Sequence, residues 1–142
     1  MTPIIRKILV CTASLVLTIG VLSAPNEAQA QGEKIFELRT YTATPGNLDK
    51  LLARFRNHTM RIFEKHGMTN IGYWVPTDEA ESSNTLVYIL AHDSQEAANR
   101  SWQAFSQDPE WQKVNEESNA DGPILQGVVR KYMTTTDFSP LK

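Results

Sequence analysis

The sequence predicts an α+β domain of the ferredoxin-like, split βαβ type: βαββαβ, a four-stranded antiparallel sheet with both helices on one face. Three observations carry this reading. Hydrophobic periodicity alternates in the order strand, helix, strand, strand, helix, strand. Turn residues bound the helical stretches, Pro45-Gly46 before the first, Gly67 after it, and Asp121-Gly122-Pro123 after the second. A chain of 142 residues holds one such unit and little more.

The first strand covers residues 34–42, with Phe36, Leu38 and Thr40 on one face and Ile35, Glu37, Arg39 and Tyr41 on the other. Asn47 is placed to cap the helix over residues 48–66. In that helix Leu48, Leu51, Leu52, Phe55, His58, Thr59, Ile62 and Phe63 form one apolar stripe, while Arg54, Arg56, Arg61 and Lys65 point elsewhere. Gly67 stands where a left-handed residue ends a helix. The second strand, residues 71–75, stops at Pro76. After a polar, acidic loop it pairs as a hairpin with a central third strand over 85–91. Asp93 and Glu96 have capping-box spacing for the second helical region, whose buried face is Ala97, Ala98, Ser101, Trp102 and Phe105. Asp108-Pro109 is a fresh helix start, so that region breaks near Gln107. Residues 124–134 make the fourth strand, and 135–142 form a tail without pattern. Helices on one face leave the other sheet face uncovered. Glu37, Arg39 and Tyr41 are expected there, with Tyr73 or Trp74, Tyr88, and Gln126 or Arg130 according to register. Such a mixed aromatic and charged face suits a second copy or a ligand better than water.

Residues 1–30 do not fit this domain. Arg6 and Lys7 precede a 15-residue apolar run, Ile8 to Leu22, and Ala28-Gln29-Ala30 further on supplies the small residues of a cleavage site. That is the anatomy of a secretory signal cut before Gln31, and the run is shorter than the roughly 20 residues that span a bilayer. The expected product is periplasmic or secreted, with no membrane attachment after cleavage. Its domain occupies residues 31–134. Removing Arg6, Lys7 and Glu27 with the leader leaves 12 basic and 15 acidic side chains, a balance that excludes a basic nucleic-acid surface. The single cysteine, Cys11, leaves too, so the domain has neither disulfide nor thiol chemistry and rests on its core.

Phe36-Glu37-Leu38-Arg39-Thr40-Tyr41, Pro45-Gly46, Phe63-Glu64-Lys65-His66-Gly67-Met68, Gly72-Tyr73-Trp74, Trp102-Gln103-Ala104-Phe105 and Asp108-Pro109-Glu110-Trp111 occur in the order of the NIPSNAP pattern. Over residues 35–133 the chain resembles that family. The resemblance implies a homodimeric α+β barrel, two ferredoxin-like protomers packed sheet against sheet. Animal members are associated with mitochondria and vesicle or organelle-quality-control roles. A short chain with an export signal departs from them, so those partners are not carried over. The same fold hosts cofactor-free monooxygenases, heme-degrading enzymes and isomerases, and fold alone does not choose among them. The heme degraders bind iron through a histidine on the second helix, and residues 93–142 contain no histidine.

Seven residues are candidates for a ligand site: Arg39, Tyr41, His58, His66, Tyr73, Trp74 and Trp102. Arg39, with Glu37 and Tyr41 beside it, offers paired donors to an anionic or phenolic ligand, or a salt bridge between protomers. His58 lies on the apolar stripe, as a proton-handling pocket residue or as a core-edge histidine bonded to a carbonyl. His66 is either a site residue or a helix C-cap. Trp74, Trp102, Phe105 and Trp111 wall a flat pocket or fill the core. His58 and His66 are eight residues apart, about 80° around and about 12 Å along a helix, and cannot share an ion. No metal or cofactor is called for. Three functions compete: binding of a small apolar or aromatic molecule between helices and sheet, cofactor-free oxygenase or isomerase chemistry, and an interaction module.

Overall fold

The computed structural model describes residues 34–141, so the leader expected at residues 1–30 lies outside the described residues. The elements are β1 (Ile35–Ala43), α1 (Leu48–Arg54), a π-helical turn (Phe55–Thr59), α2 (Met60–Lys65), β2 (Thr69–Trp74), β3 (Thr85–His92), α3 (Gln95–Gln107), α4 (Pro109–Ser118) and β4 (Leu125–Met133). The sheet is antiparallel throughout with strand order β2-β3-β1-β4, the ferredoxin-like arrangement that the element order predicts. The hairpin, the central third strand and the break after Gln107 are all present.

Two caps differ from expectation. The Asn47 side chain makes no cap bond and instead donates Nδ2 to Thr44 Oγ1 at 2.8 Å, bracing the turn. Helix α3 is capped by Ser94, whose hydroxyl accepts from the Ala97 amide at 3.1 Å, one residue beyond Asp93. Asp108 caps α4 with Pro109 at its first position, as its sequence requires. Gly67 adopts φ +74° after α2, a backbone region that costs a side chain about 1–2 kcal/mol.

The long helix holds the main departure from simple periodicity. Its π turn inserts one residue into the α-helical count. The Thr59 hydroxyl donates to the Arg54 carbonyl at 3.2 Å, across the widened turn. Leu51, Phe55, Thr59, Ile62 and Phe63 still point inward. His58, central to the stripe in a regular helix, is turned out to solvent, and Arg54 is buried instead of exposed. Phe63 joins this helix to α3 and the sheet, with ring centroids 6.1 Å from Phe55 and Tyr88, 5.3 Å from Trp102 and 5.0 Å from Phe105.

The sheet faces are the reverse of the expected ones. Glu37, Arg39 and Tyr41 lie on the helix-covered face and are buried, with Tyr88 and Tyr73 in register beside them. The uncovered face is mostly apolar. One row runs Trp74, Val87, Thr40, Val129 across the four strands, and the next runs Gly72, Ile89, Leu38, Lys131. Trp74 is 52% exposed and its indole covers Gly72, where an added Cβ would lie 2.5 Å from Cη2. Alternation was readable, but its sense was not. Charged side chains suggest the open face, yet here they satisfy one another in the interior.

Candidate functional site

Two constellations lie on the helix side of the sheet. The first is a closed polar network around Glu37. Its Oε1 accepts from Arg39 Nε at 2.8 Å, and its Oε2 accepts from Trp102 Nε1 at 2.7 Å and from His92 Nε2 at 2.9 Å. Arg39 Nη1 donates to the Tyr41 hydroxyl at 2.9 Å, and the guanidinium lies 3.6 Å from the Trp102 ring centroid. Burial alone would raise the Glu37 carboxyl. The bonds from His92, Arg39 and Trp102, with the Arg39 charge, outweigh it and hold the group below its usual value. Burial would lower Arg39, but Tyr41, Tyr88 and Glu37 raise it above its usual range. The carboxylate thus keeps its charge inside the fold because three donors converge on it. With Nε2 donating, His92 leaves its buried Nδ1 without a partner. The Tyr88 hydroxyl is likewise buried without one, and burial pushes its ionisation upward.

The second constellation is an open cleft of about 340 Å³ between the α1–π segment and α4. Lys50, Ala53, Arg54, Asn57 and His58 line one wall, and Val114, Glu117, Ser118 and Asp121 the other. Arg54 is only 5% exposed, and Nη1 donates to Ser118 Oγ at 3.2 Å. Its guanidinium lies 5.1 Å from the Trp111 ring centroid, and its buried Nε has no partner. Burial pulls its ionisation down, although arginine stays charged in proteins.

The sequence-derived candidates therefore separate. Arg39, Tyr41 and Trp102 share the closed network, and Tyr73 stacks on Tyr88 at 5.3 Å beside it. Burial raises Tyr73, whose hydroxyl donates to Asn70 Oδ1. Trp74 is on the opposite sheet face, so it does not share a pocket wall with Trp102, Phe105 and Trp111, which pack together. Arg39 makes its ion pair within the protomer. His58 alone of the seven reaches the cleft, and not as a core histidine. His66 does occupy the C-cap position of α2, but its ring Nε2 meets Asp108 Oδ2 at 2.6 Å. Reasoning from sequence missed Arg54, whose signal was its place three residues after Leu51, on the flank of the stripe. It also missed His92 as a partner of Glu37, because the pairing depends on strand register. Among the described residues no group of three His, Cys, Asp or Glu side chains is placed to hold a metal, and no helix is long and apolar enough to cross a membrane.

Asp108 ties α2 to α4. It accepts from Lys65 Nζ at 2.7 Å and from His66, and these bonds, with that of the Glu110 amide, hold its carboxyl far below the usual range. An acid depressed by folding stabilises the native state above its unfolded value and loses that contribution as the pH falls through its native one. Wild-type melting temperature should therefore drop more steeply below about pH 4 than that of Asp108→Asn. Parallel acid limbs in a thermal melt series would contradict the assignment.

No curated protein matches the sequence. Among solved structures, a NIPSNAP-like domain protein from Burkholderia xenovorans is 22% identical with TM-score 0.66, covering 76% of this chain and 90% of its own. A NIPSNAP family protein from Agrobacterium tumefaciens is 21% identical with TM-score 0.68, covering 78% and 93%. The cofactor-independent oxygenase SnoaB from Streptomyces nogalater is more distant, 12% identical with TM-score 0.51 over 77% and 99%. These likenesses show the fold. The NIPSNAP family profile matches residues 36–140, and with that span the chain belongs to the NIPSNAP family.

Proposed function

We propose that this protein is an exported, homodimeric small-molecule-binding domain whose ligand occupies the cleft between the α1–π segment and α4. The observation that carries the reading is the cleft itself: about 340 Å³, with apolar Ala53 and Val114, polar Asn57 and Ser118, and a buried charge in its lining. A concave site with a few convergent polar groups is the form small-molecule sites take. The closed network around Glu37 supports the same division of labour, because its side chains are committed to one another and brace the sheet beneath the helices. Export rests on residues 1–30, whose basic start, apolar run and Ala28-Gln29-Ala30 site suit cleavage. The homodimer rests on the uncovered rows of Leu38, Val87, Ile89 and Val129, which a second sheet would bury.

The test is a fragment titration of ¹⁵N-labelled protein beginning at Gln31, followed by amide shifts. Small aromatic fragments should move the amides of Ala53, Asn57 and Val114 together. Shifts confined to other surfaces, or none, would overturn the reading. A second reading, a cofactor-free oxygenase or isomerase, is favoured by His58, a base of suitable chemistry in the same cleft on a fold shared with SnoaB. In that case His58→Ala would abolish turnover while leaving fragment affinity intact.

A further inference from the structure

The cleft holds a buried charge that no acidic side chain among the described residues balances. Arg54 is buried at the junction of α1 and the π turn, yet among the described residues it has no acidic partner. Among the described residues its guanidinium donates to one neutral hydroxyl, Ser118 Oγ, and its Nε is buried and unpaired. A guanidinium removed from water and left without a counter-ion is costly. Arg39, the other buried arginine of the core, has Glu37 at 2.8 Å. The two acids of the cleft are otherwise engaged. Asp121 pairs with Lys50 at 3.2 Å, and Glu117 lies 3.8 Å from Lys113. Both are exposed at the rim while Arg54 is enclosed.

We infer that the cleft takes a small organic carboxylate, its anionic group completing Arg54 and its apolar body resting on Ala53 and Val114. This rests on the small-molecule reading above and names the chemical class that site prefers. A carboxylate matches the planar guanidinium and forms charge-assisted bonds with its terminal nitrogens. Trp111 holds the guanidinium from one side by its ring, which keeps the fork in place without consuming its donors. Lys50 at the rim adds a second positive group for the approaching anion. Arg54 is the last residue of α1, three residues after the buried Leu51, and that place on the inward flank holds it at the cleft instead of in solvent.

Benzoate and its neutral isostere benzamide separate the parts of this claim, titrated into the protein while the Ala53 and Val114 amides are followed. Benzoate should bind roughly tenfold to a hundredfold more tightly than benzamide. Arg54→Met should remove that preference and Arg54→Lys should keep part of it. Because Arg54 is also part of the packed interior, the exposed rim supplies a second test that does not touch the fold: Asp121→Asn should tighten benzoate about two- to fivefold and leave benzamide unchanged. Equal affinity for the two probes, or a rim variant with no effect on benzoate, would overturn the anionic preference while leaving a small-molecule site intact. Failure of both probes and of uncharged fragments to move the cleft amides would overturn the site itself.

Discussion

Replacing Glu37 by alanine should destabilise the protein by about 3–5 kcal/mol, the cost typical of removing one partner from a buried ion pair. Glu37 is completely buried and accepts from Arg39, His92 and Trp102. Its loss strands a buried cation and two buried ring donors at once. Glu37→Gln should be milder but still costly, because its amide can accept at one end only and turns an N–H toward donors at the other. Glu37→Leu combined with Arg39→Met should recover part of the loss by removing the charge pair, but not all of it, since His92 and Trp102 would still lack their acceptor. Urea unfolding of the four proteins tests this. A Glu37→Ala loss below about 1 kcal/mol would show that the network contributes no more than a surface pair.

Phe63→Ala should cost about 3–5 kcal/mol through the cavity it opens. Phe63 is 1% exposed and touches rings from three directions: Phe55 on the π turn, Tyr88 on β3, and Trp102 and Phe105 on α3. Those rings belong to separate elements and cannot all close on the void together. Phe63→Leu keeps much of the volume and should cost less than half as much. The same urea series would measure both. Similar losses for the two variants would mean that ring contacts, rather than volume, set the energy of this core.

The fold was legible in the sequence because its signals are local. Pro45-Gly46, Gly67, Asp108-Pro109 and Asp121-Gly122-Pro123 punctuate the chain, and the periodicity between them matches the elements observed. The site was much less legible. Glu37, Arg39 and Tyr41 alternate as a strand should, but alternation does not say which face the helices cover. Three polar-ended residues in the interior look like an open face until Trp102 and His92 are brought to them from residues 55 and more away. His58 left its expected place because a π turn shifts the helical count, and the residues Phe55 to Thr59 carry no strong local mark of it, whereas Arg54 is buried on the flank of the stripe three residues after Leu51. The NIPSNAP resemblance anticipated the family correctly, and family membership leaves the chemistry to the residues.

We propose above that a small molecule binds in the cleft beside Arg54 of an exported homodimer. Native mass spectrometry of the protein purified from its own host reads the mature N-terminus, the oligomer and any retained ligand together. The claim predicts a dimer of chains beginning at Gln31 that carries a small organic acid, with Arg54→Met giving the same dimer without it. A monomer, or a ligand retained equally by Arg54→Met, would contradict it.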